Sequence, residues 1–343
     1  MSRNPVSDDS GSAVIEADGL ERTFGDVVAV AGIDLSVNGG EIFGFLGPNG
    51  AGKSTAVRIL TTLLRPTGGS ARINGFDVVG EAAEVRRIIG VALQDAAIDP
   101  LMTGTELLRL QAVLHGISRV EVKRRSGELL ARVGLTAAAD RRVSTYSGGM
   151  RRRLDLALSL IHEPRILFLD EPTTGLDPTS RVSLWEEVRR LNRELGTTVF
   201  LTTQYLEEAD ELAGRIAIID GGRLVREGSP EELKSTVGMP TLRIDVDPSI
   251  LSLARGVIGT FGAERPAREG RVAIGLEGGD ARVADVVRAL DDAGITVRHL
   301  ELDAPSLDDV FADATGRRLE GAEDFREGDT NGSSRRTRRR RSR

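Results

Sequence analysis

The chain has 343 residues, enough for roughly two domains with separate cores, and it contains no cysteine, which excludes a disulfide framework and agrees with a reducing compartment. No stretch approaches the roughly 18 consecutive apolar residues of a membrane span, and Met1 to Ala13 is polar, without the apolar core of a secretion signal. With a formal net charge of −6, the sequence reads as a soluble chain that stays inside the cell, any membrane role reaching it through a partner.

Residues 1–13 read as disordered. Residues 14–46 then alternate short β-like runs with turn signals (Ala13 to Glu16, Val27 to Val30, Ile33 to Val37), and Asn38-Gly39-Gly40 leads into an apolar strand, Ile42 to Leu46. Next come Gly47, Pro48, Asn49, Gly50, Ala51, Gly52, Lys53, Ser54 and Thr55, followed by a helix-like segment, Ala56 to Leu64. This stretch fits G-x-x-x-x-G-K-[ST] in the strand–loop–helix context that a phosphate-binding loop requires. Its glycines let the backbone turn N–H groups around the β- and γ-phosphates, and the helix N-terminus adds partial positive charge. Lys53 supplies a full cation there, and the Ser54 hydroxyl is a ligand for the Mg²⁺ that accompanies a nucleotide.

After the first helix, Pro66 and Gly68-Gly69 mark a stop, and Ala71 to Ile73 followed by Asn74-Gly75 reads as a hairpin edge. Residues 81–94 read as a helix and a buried strand, Ile88 to Leu93. Residues 103–143 are helical and rich in arginine and leucine, the body of an inserted helical subdomain at about 95–160. From Arg165 strand and helix alternate: Ile166 to Leu169, a helix through Leu195, Thr198 to Thr202, a helix through Ala213, Ile216 to Ile219. That pattern predicts a largely parallel sheet flanked by helices. Near Gly238-Met239-Pro240 the character changes. Residues 241–315 predict a small α+β domain with strands Leu242 to Val246, Val272 to Leu276 and Thr296 to Leu302 and helices Ser249 to Phe261, Ala281 to Ala293 and Ser306 to Ala314.

Residues 316–343 are polar and read as a disordered tail. Residues 335–343 hold seven arginines, and with these set aside the net charge falls from −6 to −13. A run of this kind is most simply a solvated segment. It also suits anionic lipid head groups, at about 1 kcal/mol per arginine near the surface. One basic tail on an acidic body is weak support for nucleic acid, and no nucleic-acid partner is expected.

Ile166 to Leu169 end in Asp170-Glu171, two carboxylates where α/β sheets hold ligands. Alone the pair could be a plain strand end. Downstream of a phosphate loop, Asp170 suits Mg²⁺ held through water, and Glu171, one residue further on the opposite face, suits a general base. Tyr146-Ser147-Gly148-Gly149-Met150 stands just upstream, before a helix, so that the Ser147 hydroxyl, the Gly148 and Gly149 N–H groups and the helix dipole could face an anion.

These motifs, in this order, resemble the ATP-binding cassette (ABC) proteins over about residues 14–240, with Ser147 to Gly149 at the signature usually written Leu-Ser-Gly-Gly-Gln. The resemblance implies a P-loop ABC nucleotide-binding domain, with a parallel core sheet, an antiparallel β subdomain and an inserted helical subdomain, followed by the small C-terminal α+β domain. It implies ATP and Mg²⁺ as ligands, Phe24 as the aromatic that stacks on adenine, and Gln94 as a Mg²⁺ contact that communicates with a membrane partner. Phe24 also reads as an ordinary core aromatic and Gln94 as a plain strand-end polar residue. Gly175-Leu176-Asp177 resembles the loop that crosses the dimer interface. One chain holds one phosphate loop and one signature, so the resemblance implies two copies, head to tail, sandwiching two ATP molecules.

Two positions depart from the pattern. Met150 replaces the usual glutamine, and Gln204 stands where a histidine normally follows the strand at Thr198 to Thr203. A glutamine amide donates a hydrogen bond to a γ-phosphate but carries neither a proton nor a charge at neutral pH, which leaves base chemistry to Glu171 and positioning to Gln204. The runs at 146–155 and 202–210, with Pro305-Ser306-Leu307-Asp308-Asp309-Val310-Phe311, resemble the ATP-binding subunits of daunorubicin/doxorubicin-resistance exporters. That implies a separate integral membrane permease, a place at the cytoplasmic face of the membrane, and a hydrophobic drug or lipid-like cargo. An importer subunit is the next reading, but importers often append an all-β domain. A soluble ABC ATPase would show two cassettes or long heptad insertions, and a dead regulatory module would lack Lys53, Asp170 or Glu171.

Overall fold

The computed structural model describes residues 12–93, 98–265, 267 and 271–317. It divides into two compact units, one running through Pro230 and one comprising Glu231–Arg318. This division falls before the 240/241 boundary expected from the sequence, because the break is Gly228-Ser229-Pro230, where the last strand of the first unit ends.

In the first unit the chain order is β1 (Ala13–Phe24), β2 (Val27–Asn38), β3 (Ile42–Leu46), α1 (Lys53–Leu60), β4 (Gly68–Ile73), β5 (Phe76–Asp77), α2 (Ala82–Ile88), β6 (Ile89–Ala92), α3 (Gly104–Leu114), α4 (Arg119–Arg132), α5 (Gly148–Leu160), β7 (Ile166–Asp170), α6 (Pro178–Leu195), β8 (Thr198–Thr203), α7 (Leu206–Leu212), β9 (Arg215–Asp220) and β10 (Arg223–Gly228). An antiparallel sheet has the order β2-β1-β4-β5. The main sheet has the order β10-β9-β3-β8-β7-β6, parallel throughout except for the edge strand β10.

β1 is one long strand where the sequence suggested one short run, Ala13 to Glu16, and β2 joins the two runs Val27 to Val30 and Ile33 to Val37. Their pairing shifts register between Ala17 and Leu20, so Asp18-Gly19 forms a bulge rather than a turn. The edge strand β10 was also not anticipated; its pattern is half-exposed and has no apolar run to announce it. α1 begins at Lys53, earlier than the Ala56 suggested by hydrophobic periodicity. Gly52 caps it with φ 107°, so Lys53, Ser54 and Thr55 occupy the first turn.

The central strands are apolar because both faces are covered. Ile166 and Phe168 of β7 belong to the core shared with α1 and the antiparallel sheet, while Leu167 and Leu169 belong to the core shared with α5, α6 and the helical insertion. On the first face Phe43, Phe200 and Phe168 are register partners across β3, β8 and β7. The Phe200 ring centroid lies 5.6 Å from Phe43, 5.5 Å from Phe45 and 5.4 Å from Phe168, within the range of favourable aromatic pairs. These rings fix the alignment of the three strands whose carboxyl ends build the site.

The second unit contains α8 (Pro230–Thr236), β11 (Thr241–Asp245), α9 (Leu251–Ile258), β12 (Arg271–Gly275), α10 (Val283–Asp292), β13 (His299–Asp303) and α11 (Leu307–Thr315). Its sheet is antiparallel, order β12-β11-β13. Leu242 and Ile244 of β11 pack with Ala254 and Ile258 of α9 and Val286 and Leu290 of α10. Alternate residues on β11 and its neighbours form ion pairs, Arg243 with Asp303 at 2.6 Å and Arg271 with Asp245 at 2.6 Å. The unit is mixed α and β, as expected, and α11 starts with a capping box at Ser306 and Asp309.

Removing the ring at the centre of the aromatic group leaves a cavity that rigid strands cannot close. Phe200→Ala should lower the unfolding free energy by about 3–5 kcal/mol, measured as a shift of the urea midpoint of the full chain.

Candidate active site

The loop after β3 wraps tightly because two of its glycines tolerate no side chain. A Cβ on Gly47 would lie 2.3 Å from the Ile219 carbonyl oxygen, and one on Gly52 would lie 2.3 Å from that of Ala29. The loop is thus wedged between β9 and the start of β2. Gly47 N–H donates to Thr203 O at 3.2 Å, and Gly222 N–H in the β9–β10 turn donates to Ala51 O at 3.0 Å.

The Lys53 ammonium is buried and donates to Gly47 O at 2.7 Å and Pro48 O at 3.0 Å, while pairing with Glu171 Oε1 at 3.2 Å. Burial lowers its pKa from the usual lysine value, with Glu171 and then Asp170 opposing that shift. Ser54 Oγ donates to Asp170 Oδ1 at 3.1 Å. Adjacent residues of α1 therefore meet adjacent carboxylates at the end of β7. Strand alternation had placed Glu171 on the face opposite Asp170. The strand ends at Asp170, and Glu171 turns back with φ 48°, a left-handed conformation that costs a non-glycine residue on the order of 1–3 kcal/mol.

Thr202, which the sequence reading passed over, holds that turn. Its hydroxyl donates to Asp170 Oδ1 at 2.5 Å and accepts from Glu171 N–H at 3.1 Å, and its carbonyl accepts from the same N–H. The only signal for it was its place in Thr-Thr-Gln at the end of an apolar strand. Gln204 follows one residue beyond β8, half-buried; β8 lies between β3 and β7, so Gln204 emerges between the phosphate loop and the two carboxylates.

Ser147 is the N-cap of α5, its Oγ accepting from Met150 N–H at 3.2 Å. Ser147 and Gly148 are exposed, and the first turn of this 13-residue helix has no acidic residue, an arrangement open to an anion. Tyr146 is buried and anchors the turn by donating to Ala138 O at 2.6 Å. Met150 is half-buried against the helical core, which explains a thioether at this position. Asp177 caps α6, with both carboxylate oxygens on Ser180 at 3.0 and 2.6 Å. Phe24 is 45% exposed at the end of β1, with the Arg22 guanidinium 4.4 Å from its ring centroid; it is not a core aromatic. Gln94 lies outside the described residues, as do most of the N-terminal segment and the arginine run.

Arg152, one of three arginines after the signature turn, was also not singled out. It donates through Nη1 to Leu93 O at 2.6 Å, through Nη2 to Asp170 O at 2.7 Å and through Nε to Pro172 O at 2.8 Å. Its Nη1 also faces Asp155 Oδ2 at 3.4 Å. Glu208 is fully buried and accepts from Trp185 Nε1 at 3.1 Å; burial pushes its carboxyl up.

With a lysine, a serine hydroxyl and two carboxylates converging at a helix start, the arrangement suits a nucleoside triphosphate. Residues 30–174 match the ABC transporter family, and residues 228–315 match the C-terminal domain of ATP-binding proteins similar to DrrA1-3. The chain belongs to the ATP-binding subunits of ABC transporters. It is 46% identical over 315 residues to the daunorubicin resistance ATP-binding protein DrrA2 of Streptomyces coeruleorubidus, covering 90% of this chain and 97% of that one. It is 46% identical over 313 residues to the daunorubicin/doxorubicin resistance ATP-binding protein DrrA of Streptomyces peucetius, covering 88% and 92%. Among solved structures, the dimeric bacterial ABC transporter cassette MJ0796 is similar with a TM-score of 0.59 and 28% identity, over 63% of this chain and 98% of that one. The family are ATPases that power transport, and this chain binds ATP as an energy-coupling subunit. No helix among its described residues is long and apolar enough to cross a membrane.

Asp155 gives the site a pH signature. Burial pushes its carboxyl up to about 7, with Arg152 opposing. A raised carboxyl contributes stability below its unfolded value near 4 and loses it as pH rises through 7, at up to about 1.4 kcal/mol per pH unit. Asp155→Asn should remove that slope, so the difference in urea midpoint between wild type and variant changes between pH 4 and 7 and is constant above 8.

Proposed function

We propose that this chain is the ATPase subunit of an exporter, docked at the cytoplasmic face of a separate membrane permease and moving a hydrophobic drug or lipid-like compound. The observation that carries the catalytic part is the paired grip of Lys53 on Glu171 and Ser54 on Asp170. The exporter part is supported by the C-terminal unit, which contains helices α9 and α10 and is not the all-β appendage common in importers. It is supported also by the drug-resistance relatives. α3 leaves Leu110, Val113 and Leu114 exposed at i, i+3 and i+4, an apolar strip suited to a permease segment. The seven arginines of 335–343 suit the anionic head groups of the same membrane.

In this reading ATP lies along the phosphate loop with its adenine against Phe24. Its γ-phosphate is met by Ser147, Gly148 and Gly149 of a second copy, Asp177 lying in the loop between copies. Ser54, Asp170 and Gln94 would hold Mg²⁺, and a single carboxylate with a hydroxyl suits an ion that takes its remaining oxygens from phosphate and water. The ion, when bound, supplies neutralising charge at the phosphate oxygens. Phosphate oxygens compete with Glu171 for the Lys53 ammonium, which releases the carboxylate. Glu171 then accepts a proton from water as the water oxygen bonds to the γ-phosphorus and the bond to ADP breaks. Gln204 donates to the γ-phosphate and moves no proton.

Glu171→Gln should lower ATP turnover by about 10²- to 10⁴-fold while keeping ATP binding and an ATP-dependent dimer, read by light scattering. Gln204→Ala should reduce turnover by a smaller factor, about tenfold, as expected for loss of one neutral hydrogen bond. Full turnover in Glu171→Gln would remove the base assignment.

A further inference from the structure

Helix α5 has two ends with different duties. Its N-cap, Ser147, is exposed and in the reading above serves ATP on the second copy. Its flank lies along β6 and β7 of its own copy, where the Gly90 backbone leaves no room for a side chain: a Cβ there would be 2.3 Å from Ser159 O. Two polar links hold the helix in register along these strands. At its far end, just after α5, the His162 ring is bonded through Nε2 to Ile89 O at 2.8 Å. At its near end Arg152 spends all three guanidinium nitrogens on the backbone oxygens of Leu93, Asp170 and Pro172.

Asp170 and Pro172 flank Glu171, and Leu93 directly follows the last residue of β6. The guanidinium thus holds the peptide on both sides of the left-handed turn at Glu171 and ties it to β6. We propose that Arg152 is a positioning residue for hydrolysis, setting the turn that carries Glu171 from the helix that presents Ser147 to the other copy. Its fork is committed to backbone oxygens, so it acts through Asp170 and Glu171. The planar fork matters: a lysine ammonium is a point donor and cannot span three carbonyls on two chain segments. Asp155 Oδ2 lies 3.4 Å from Nη1 of Arg152, whose side chain is only 12% exposed. The link between copies rests on the two-copy reading of the signature; the link between Arg152 and Glu171 lies within one chain.

The test uses the full chain with Arg152→Ala and Arg152→Lys, each also in the Glu171→Gln background. Misplacing a base by about 1 Å is enough to cost on the order of 100-fold, so kcat should fall toward that for Arg152→Ala while KM for ATP stays within about twofold. Arg152→Lys keeps a charge against Asp155 and preserves the fold if alanine does not. It should recover thermal stability but only part of kcat. Arg152→Ala with Glu171→Gln should still dimerise on ATP, since Lys53 and Ser147 are intact. Wild-type kcat in Arg152→Lys, or a raised KM with kcat unchanged in either variant, would overturn the proposal. Failure of Glu171→Gln alone to dimerise would count against the two-copy reading instead, and the split between kcat and KM would still decide the role of Arg152.

Discussion

Everything at this site depends on two neighbouring residues of α1 holding two neighbouring carboxylates at the end of β7. The Lys53–Glu171 pair is almost wholly buried, with side chains 3% and 5% exposed. An ion pair so placed is costly to break unless each charge finds a new partner. Phosphate oxygens are such a partner for Lys53, and a polarised water is one for Glu171. In the proposed reading, the same exchange that admits a triphosphate would release Glu171 from Lys53 to act as the base. The strain of the Glu171 turn is sustained by Thr202, which meets both carboxylate residues with one hydroxyl.

The grip holds its geometry because the strands below it cannot slide. Phe43, Phe200 and Phe168 face one another across three strands at single-residue register, so a slip would separate the rings as well as the backbone hydrogen bonds. α1 lies over this face, and α5 lies over the other. Arg152 and His162 connect α5 to backbone oxygens rather than to side chains, which fixes its position along the strands independently of the apolar contacts around it. Two cores on opposite faces of one sheet thus deliver their helices to the same carboxyl edge, α1 with the phosphate loop and α5 with the carbonyl clamp.

Much of this was legible in the sequence, for identifiable reasons. The strands β3, β7 and β8 are covered on both faces and so read as unbroken apolar runs. The phosphate loop reads as a motif because close approach excludes all but glycine at Gly47 and Gly52. What escaped was local. β1 was read short since a bulge at Asp18-Gly19 uses the same residue types as a turn, and β2 was split at Gly32. β10 escaped because an edge strand with one open face needs no apolar run. Glu171 was assigned the wrong face, as period-two reasoning cannot see a left-handed residue at a strand end. Arg152 and Thr202 act through backbone atoms and a shared hydroxyl, and neither arrangement leaves a spacing pattern in the chain.

The absence of a histidine at 204 shifts weight within the site. His115 and His162 stack with ring centroids 3.8 Å apart, and His162 is held neutral, its pKa lowered to about 4 by burial and then by His115. Its bond to Ile89 places it at the amino end of β6, the edge of the sheet opposite Asp170. His299 belongs to β13 in the second unit. These positions leave Gln204 as a neutral donor where a protonatable one usually stands. A neutral hydrogen bond contributes about 0.5–1.5 kcal/mol and one from a charged donor about 1.5–3 kcal/mol. In the proposed two-copy reading, the charge that Gln204 does not supply would come from Lys53 and from the signature helix of the second copy. On that reading, the site would lean more heavily on closure of the two copies than one with its own histidine.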